Sequence, residues 1–181
     1  TGLEAPPPGI RPSDTTHSAG RVAARARHIW GRTGMSWAAA EGYKSGRSSL
    51  TEGGTVMALS SKWQHRGDLP FTDKRGWGRY AGKLMRGAHG HDLLQVVVNG
   101  PVNGDGVWEW QSEKMRELKV AGVKGISESP RTQFFMDLHD ILLPWARKAT
   151  LIIGGDFNSK WTEGFEAGGV LSTLRGFAES L

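Results

Sequence analysis

Large apolar residues recur at Phe134, Leu138, Ile141, Leu142 and Trp145. The spacing is i, i+4, i+7, i+8 and i+11, which places all five on one stripe of a helix. Ser129-Pro130 ahead of them matches an N-cap followed by proline at the first helical position. Pro144 should stop or kink the helix, and Arg147 and Lys148 sit where a helix C-terminus favours cations. A different pattern follows: Leu151-Ile152-Ile153 is a short apolar run, as in a buried strand, and it empties into Gly154-Gly155-Asp156-Phe157-Asn158. Leu93 to Asn99 is a nearly continuous apolar run, expected to be a strand buried on both faces. Further strands are predicted over 55–60 and 76–84, the second with Arg79 and Lys83 outward. Gly87 to Gly90 and Asn103 to Gly106 read as turns. Helices are predicted over 19–30, 108–120 and, from the spacing of Leu171, Leu174, Phe177, Ala178 and Leu181, at the end of the chain. Trp37 to Ala40 is expected to add a turn or a short strand, and 122–128 a loop. Strands and helices alternate, with several neighbouring strands antiparallel, so the fold class is α/β, in layers.

Composition sharpens the ends of this picture. Thr1 to Ser18 is rich in Pro, Gly, Ser and Thr, and Pro6-Pro7-Pro8-Gly9 blocks helix and strand alike. We therefore expect residues 1–20 to form a flexible arm and 21–181 to form one partial domain. The chain begins at Thr1 and stops inside an amphipathic pattern, which reads as an excerpt of a longer protein cut at both ends. It contains no cysteine, which excludes disulfides and thiolate metal sites and suits a reducing, intracellular setting, nuclear or cytoplasmic. No apolar run has the length of a membrane span, so no membrane partner is expected.

The net charge is +5 and the isoelectric point about 9.7. Between Lys62 and His91 seven Lys and Arg face two Asp, with Trp63, Trp77 and Tyr80 interleaved. Cations beside stacking rings suit a polyanion, so nucleic acid is the expected partner, with Lys62, Arg75 and Arg79 as phosphate contacts. The alternative is a solvated basic loop whose rings turn inward.

The chemistry concentrates after the Leu151 run. In an extended backbone Asp156 and Asn158 point the same way while Phe157 points back to the core. A carboxylate and a carboxamide then share the C-terminal mouth of a strand, and the glycines before them let an anion approach the backbone. Such a pair can aim a water and grip a phosphate oxygen. The plainer reading is an Asx turn. His89-Gly90-His91-Asp92 allows a metal site, against which its glycines favour an exposed hairpin tip.

Gly154-Gly155-Asp156-Phe157-Asn158 after an apolar strand resembles the signature of the endonuclease/exonuclease/phosphatase superfamily, the deoxyribonuclease I-like fold. Within it the chain is most similar to the endonuclease domains of LINE-type retrotransposons. Gly53 to Trp63, Leu93 to Pro101 and Arg131 to Leu143 resemble further segments of that family, in its order, and the likeness covers roughly 53–181. It implies a layered sandwich of mixed β-sheets flanked by helices, truncated here at both ends. It also implies a Mg²⁺- or Mn²⁺-dependent phosphodiesterase acting on nucleic acid, most naturally DNA. Asp156 would orient or deprotonate the water and Asn158 would hold a phosphate oxygen. Asn99, in Asn99-Gly100-Pro101, stands where the family has a tyrosine. Glu4 is the only candidate for the family's metal-binding glutamate. Trp161, shortly after the motif, is a candidate wall of the substrate side, with a packed loop tryptophan as the plainer reading. The chain departs from the family in lacking a Ser-Asp-His and a Ser-Arg-Ile-Asp-Tyr-like segment. Two alternatives stay open: a phosphoesterase of the same superfamily acting on phosphoinositides or RNA, and a degenerate module that binds nucleic acid without cutting it.

Overall fold

A computed structural model describes residues 36–40, 43–44, 51–52, 54–59, 67–159 and 174–181. The expected arm over 1–20, the helix over 19–30, and Glu4, Lys62, Leu171 and Trp161 lie outside the described residues.

The chain is α/β. In chain order the strands are β1 (Ser36–Ala40), β2 (Tyr43–Lys44), β3 (Thr51–Glu52), β4 (Thr55–Leu59), β5 (Gly67–Thr72), β6 (Tyr80–Met85), β7 (Asp92–Asn99) and β8 (Ala149–Asp156). The helices are α1 (Gly106–Val120), α2 (Pro130–Leu142) and α3 (Leu174–Ser180). The order β5-β6-β7-β8 makes one mixed sheet, while β1 pairs with β4 and β2 with β3, each antiparallel. Of the large sheet, β5, β6 and β7 are antiparallel neighbours, and β8 joins β7 in parallel. The parallel step needs a crossover, which α1 and α2 supply.

The two sides of this sheet differ. On one side Tyr80, Leu84, Leu94, Val96 and Val98 meet Phe134, Phe135, Leu138 and Leu142 of α2 and Phe177 of α3 in the main core. Leu151, Ile153 and Phe157 pack against the same cluster. The expected stripe of α2 is thus the buried one, with Phe135 added and Ile141 and Trp145 partly buried at its margin. On the other side β1 lies against β5 and β6, and β4 against β6 and β7. Strand β4 turns Thr55, Met57 and Leu59 inward, as period-two alternation requires.

Three expectations are corrected. The second strand begins at Tyr80, because 73–79 is a loop wound around Asp73: the Asp73 carboxylate accepts from the N–H groups of Arg75 and Arg79. Arg79 and Lys83 do not point outward; both are buried, at 1% and 4% exposure. Strand β8, expected to be buried, is open on one side, since Thr150, Ile152 and Gly154 are exposed. The hairpin turn after β6 stands as expected, with His89 at φ 57° and Gly90 at φ 79°. Its Asp92 is engaged by Arg86 at 2.6 Å and by the Gly87 N–H at 3.2 Å. Among the described residues no group of three or more His, Cys, Asp or Glu could hold a metal ion, the hairpin histidines included.

Candidate active-site rim and the cavity beside it

Parallel pairing decides what meets at the end of the sheet. Strands β7 and β8 run the same way, so their C-terminal residues emerge together, and Asn99 is the register partner of Asp156. Crevices at the carboxyl ends of parallel strands are where α/β folds take ligands. The backbone locks this rim: the Gly100 N–H donates to the Asp156 carbonyl at 2.7 Å. The side-chain amide of Asn158 donates to the Gly100 carbonyl, also at 2.7 Å. Asn99, Asp156 and Asn158, the three residues expected to do chemistry, therefore lie on one rim.

The pair after β8 also makes the turn that the plainer reading expected. The Asn158 N–H donates to Asp156 Oδ1 at 2.9 Å, and Asn158 takes the left-handed φ of 49°. Asparagine tolerates that conformation better than most residues. The turn leaves Asp156 exposed and Asn158 half-buried. Phe157 packs against the core as expected, but the extended backbone expected to carry the alternation through Asn158 ends at Asp156. One Asn158 N–H is spent on Gly100, and the carboxamide has a second.

The two glycines before Asp156 differ. A Cβ on Gly155, at φ 134°, would lie 2.2 Å from the Val98 carbonyl oxygen, whereas one on Gly154 would meet nothing within 4 Å. Gly155 thus lets β8 lie close on β7, while Gly154 leaves open space. Arg131, at the start of α2, reaches back to donate to the Asn158 carbonyl at 3.0 Å, with its guanidinium over the Trp108 ring. No short-range pattern signals this brace.

Beside Asn99 opens a cavity of about 300 Å³, walled by Trp77, Arg79, Asn99, Asp105, Val107 and Gln111 among others. Arg79 enters it from a buried ion-pair cluster. Its Nε lies 2.6 Å from Asp73, and its Nη2 lies 2.8 Å from Asp73 and 2.7 Å from Asp137. Arg75 grips Asp137 through two hydrogen bonds, at 2.6 and 2.9 Å, and Gln133 donates to the same carboxylate at 2.8 Å. Burial alone would lower the Arg79 pKa, but the hydrogen bonds and charges of Asp73, with the charge of Asp137, hold it above the usual value. Burial pushes the Asp137 carboxyl up, and the hydrogen bonds and charges of Arg75 and Arg79 outweigh that and keep it below the usual range. Arg75 and Arg79, expected as surface phosphate contacts, are thus bound to carboxylates, and both lie against the Trp77 ring, at 5.5 and 4.7 Å. A second hollow, lined by Lys74, Arg75, Lys114, Glu117 and Leu118, opens on Trp77 as well; there Arg75 is bound to Asp137 and Lys114 to Glu117.

Of the rim residues Asn99, Asp156 and Asn158, only Asp156 brings a carboxylate that a hard cation could use. Mg²⁺ is commonly held by one or two carboxylates, with water and substrate phosphate completing its shell. Asp156 offers one exposed carboxylate of this kind. No family model, curated protein or solved structure matches the chain.

Proposed function

We propose that this chain is part of a Mg²⁺-dependent phosphodiesterase of the deoxyribonuclease I-like type, a DNA endonuclease of a retrotransposon polyprotein. The observation that carries the reading is the meeting of Asn99, Asp156 and Asn158 at the C-terminal rim of two parallel strands. Hydrolysis of a phosphodiester requires an aimed water, neutralised phosphate charge and a stabilised leaving oxygen. Asp156, exposed and fixed by the turn, orients the water and accepts its proton. Asn158 holds a non-bridging oxygen with its second N–H and adds no repulsive charge. Asn99 contacts the phosphate from the neighbouring strand, with a shorter reach than a phenol. The cation, held by Asp156, would supply charge neutralisation at the phosphate. The net charge of +5 suits a polyanionic substrate such as nucleic acid.

The chain has no Ser-Asp-His to serve as general acid and base. By itself it should nick supercoiled plasmid little or not at all, and robust cutting would contradict this assignment. Cation binding gives a direct test. Mn²⁺ should broaden the amide signals of Gly100, Asp156 and Asn158, and Asp156→Ala should abolish that broadening. Equal broadening in the variant removes Asp156 from the metal site. In a chain that also carries the absent segments, Asp156→Ala should lower nicking by at least about a hundredfold, the usual scale of a general base. If that chain binds DNA in a salt-sensitive way but never cuts, the non-catalytic binding module is the better reading.

A further inference from the structure

We infer that Arg131 is the positioning residue of the rim: it holds the turn after β8 in the shape that presents Asp156 and Asn158 together. What the rim then does rests on the phosphodiesterase reading; the brace stands on contacts of its own. Asn158 sits at φ 49°, a left-handed conformation that persists where surrounding contacts over-determine it. Three hydrogen bonds do so here. The Asn158 N–H donates to Asp156 Oδ1 at 2.9 Å, its carboxamide donates to the Gly100 carbonyl at 2.7 Å, and its own carbonyl accepts from Arg131 Nη2 at 3.0 Å. The first two lie within the rim. The third ties the turn to α2, and because the guanidinium lies over the Trp108 ring at 5.8 Å, α1 backs it as well. A hydrogen bond from a charged donor is among the stronger ones.

The placement of Arg131 is unfavourable for α2 itself. It stands in the first helical turn, where the macrodipole disfavours a cation, and that turn holds no acidic residue. Its Nε is buried without a hydrogen-bond partner. Arg75, Arg79, Arg86 and Arg175 each grip a carboxylate, whereas Arg131 turns its guanidinium to a backbone carbonyl. Local rules broken together at one residue mark a position where geometry is held at the expense of stability. The consequence reaches Asp156 through Asn158. Once the Asn158 carbonyl is released, the residue can leave the left-handed region, and its N–H then turns away from Asp156 Oδ1. The carboxylate loses its fixed orientation, and the carboxamide loses its hold on Gly100.

The test compares the ¹⁵N-labelled whole chain with Arg131→Met and Arg131→Lys. In wild type the Asn158 side-chain amide should carry the shift of a hydrogen-bonded group. In Arg131→Met it should move to that of a freely rotating amide, while the signals of Val96 and Leu138 stay in place. Mn²⁺ titration then separates position from charge, because the two have opposite signs. Loss of a nearby positive charge alone should tighten cation binding. Loss of positioning should instead raise several-fold the Mn²⁺ concentration that half-broadens Gly100 and Asp156. Arg131→Lys keeps the charge and one donor but not the planar group over Trp108, so it should fall between wild type and Met on both readouts. Three results overturn the inference: an unmoved Asn158 amide in Arg131→Met, Mn²⁺ binding in that variant equal to or tighter than wild type, or a lysine variant no better than Met. If wild type itself shows no Mn²⁺ broadening, the metal reading of the rim fails, and the Asn158 amide signals still decide whether Arg131 holds the turn.

Discussion

The rim at the end of β7 and β8 and the ion-pair cluster under the 73–79 loop are built from the same kinds of residue, yet they are constructed in opposite ways. At the rim a carboxylate stands in solvent, and its neighbours are tied down by backbone hydrogen bonds. In the cluster two carboxylates and two guanidiniums are taken from water together and neutralise one another. Exposure leaves Asp156 available to a ligand at little cost to the fold. Burial makes Asp73 and Asp137 structural, and it turns Arg79 from a mobile surface cation into a fixed post. The acid that is cheapest to remove is the one we propose for the chemistry.

Substitutions can break this contrast. Asp137→Ala leaves Arg75 and Arg79 without a shared counter-charge and should cost about 3–5 kcal/mol, the range for one member of a buried pair. Asp156→Ala should stay within about 0.5 kcal/mol, as for an exposed position. Urea denaturation of both measures the difference, and similar losses would erase the distinction. Next in size, Gly155→Ala should cost about 1–3 kcal/mol or more, for a strained φ and a collision with Val98. Gly154→Ala, by the same measurement, should be neutral to within about 0.5 kcal/mol. Asn158→Gly keeps the left-handed turn but loses the bond to Gly100, and should cost about 1 kcal/mol. The most gradual effect is that of pH. The Asp137 carboxyl is held below its ordinary range in the folded chain. Its contribution is therefore complete above the unfolded value, near about 3.9, and is lost as pH falls through the lower folded value. The urea midpoint should drop over that acid window, and Asp137→Asn should show a shallower fall.

Local features were the legible ones. The stripe of α2 depends on residues within three turns of each other, so Phe134, Leu138 and Leu142 could be placed without knowing what they meet. The same holds for the turn after β8, where Asp156 and Asn158 are two residues apart. Strand β5 was not anticipated, because Gly67 and Pro70 speak against a strand interior. Here β5 is an edge of its sheet, with a register shift between Asp68 and Pro70, and there proline is tolerated. The burial of Arg79 could not be read from its neighbourhood, because Asp137 lies 58 residues away. For the same reason the basic segment suggested a surface where a cluster is found. Gln111, Asp105 and Arg131 gave no sign of belonging near the rim, since each gets there only through the crossover between β7 and β8.

That crossover has a thermodynamic corollary. Asn99 and Asp156 become neighbours only when the parallel pair has formed around the intervening helices, so an unfolded chain has nothing to offer a molecule that must touch both. Whatever spans them binds the native state alone, and its affinity must appear as added heat resistance that grows with its concentration.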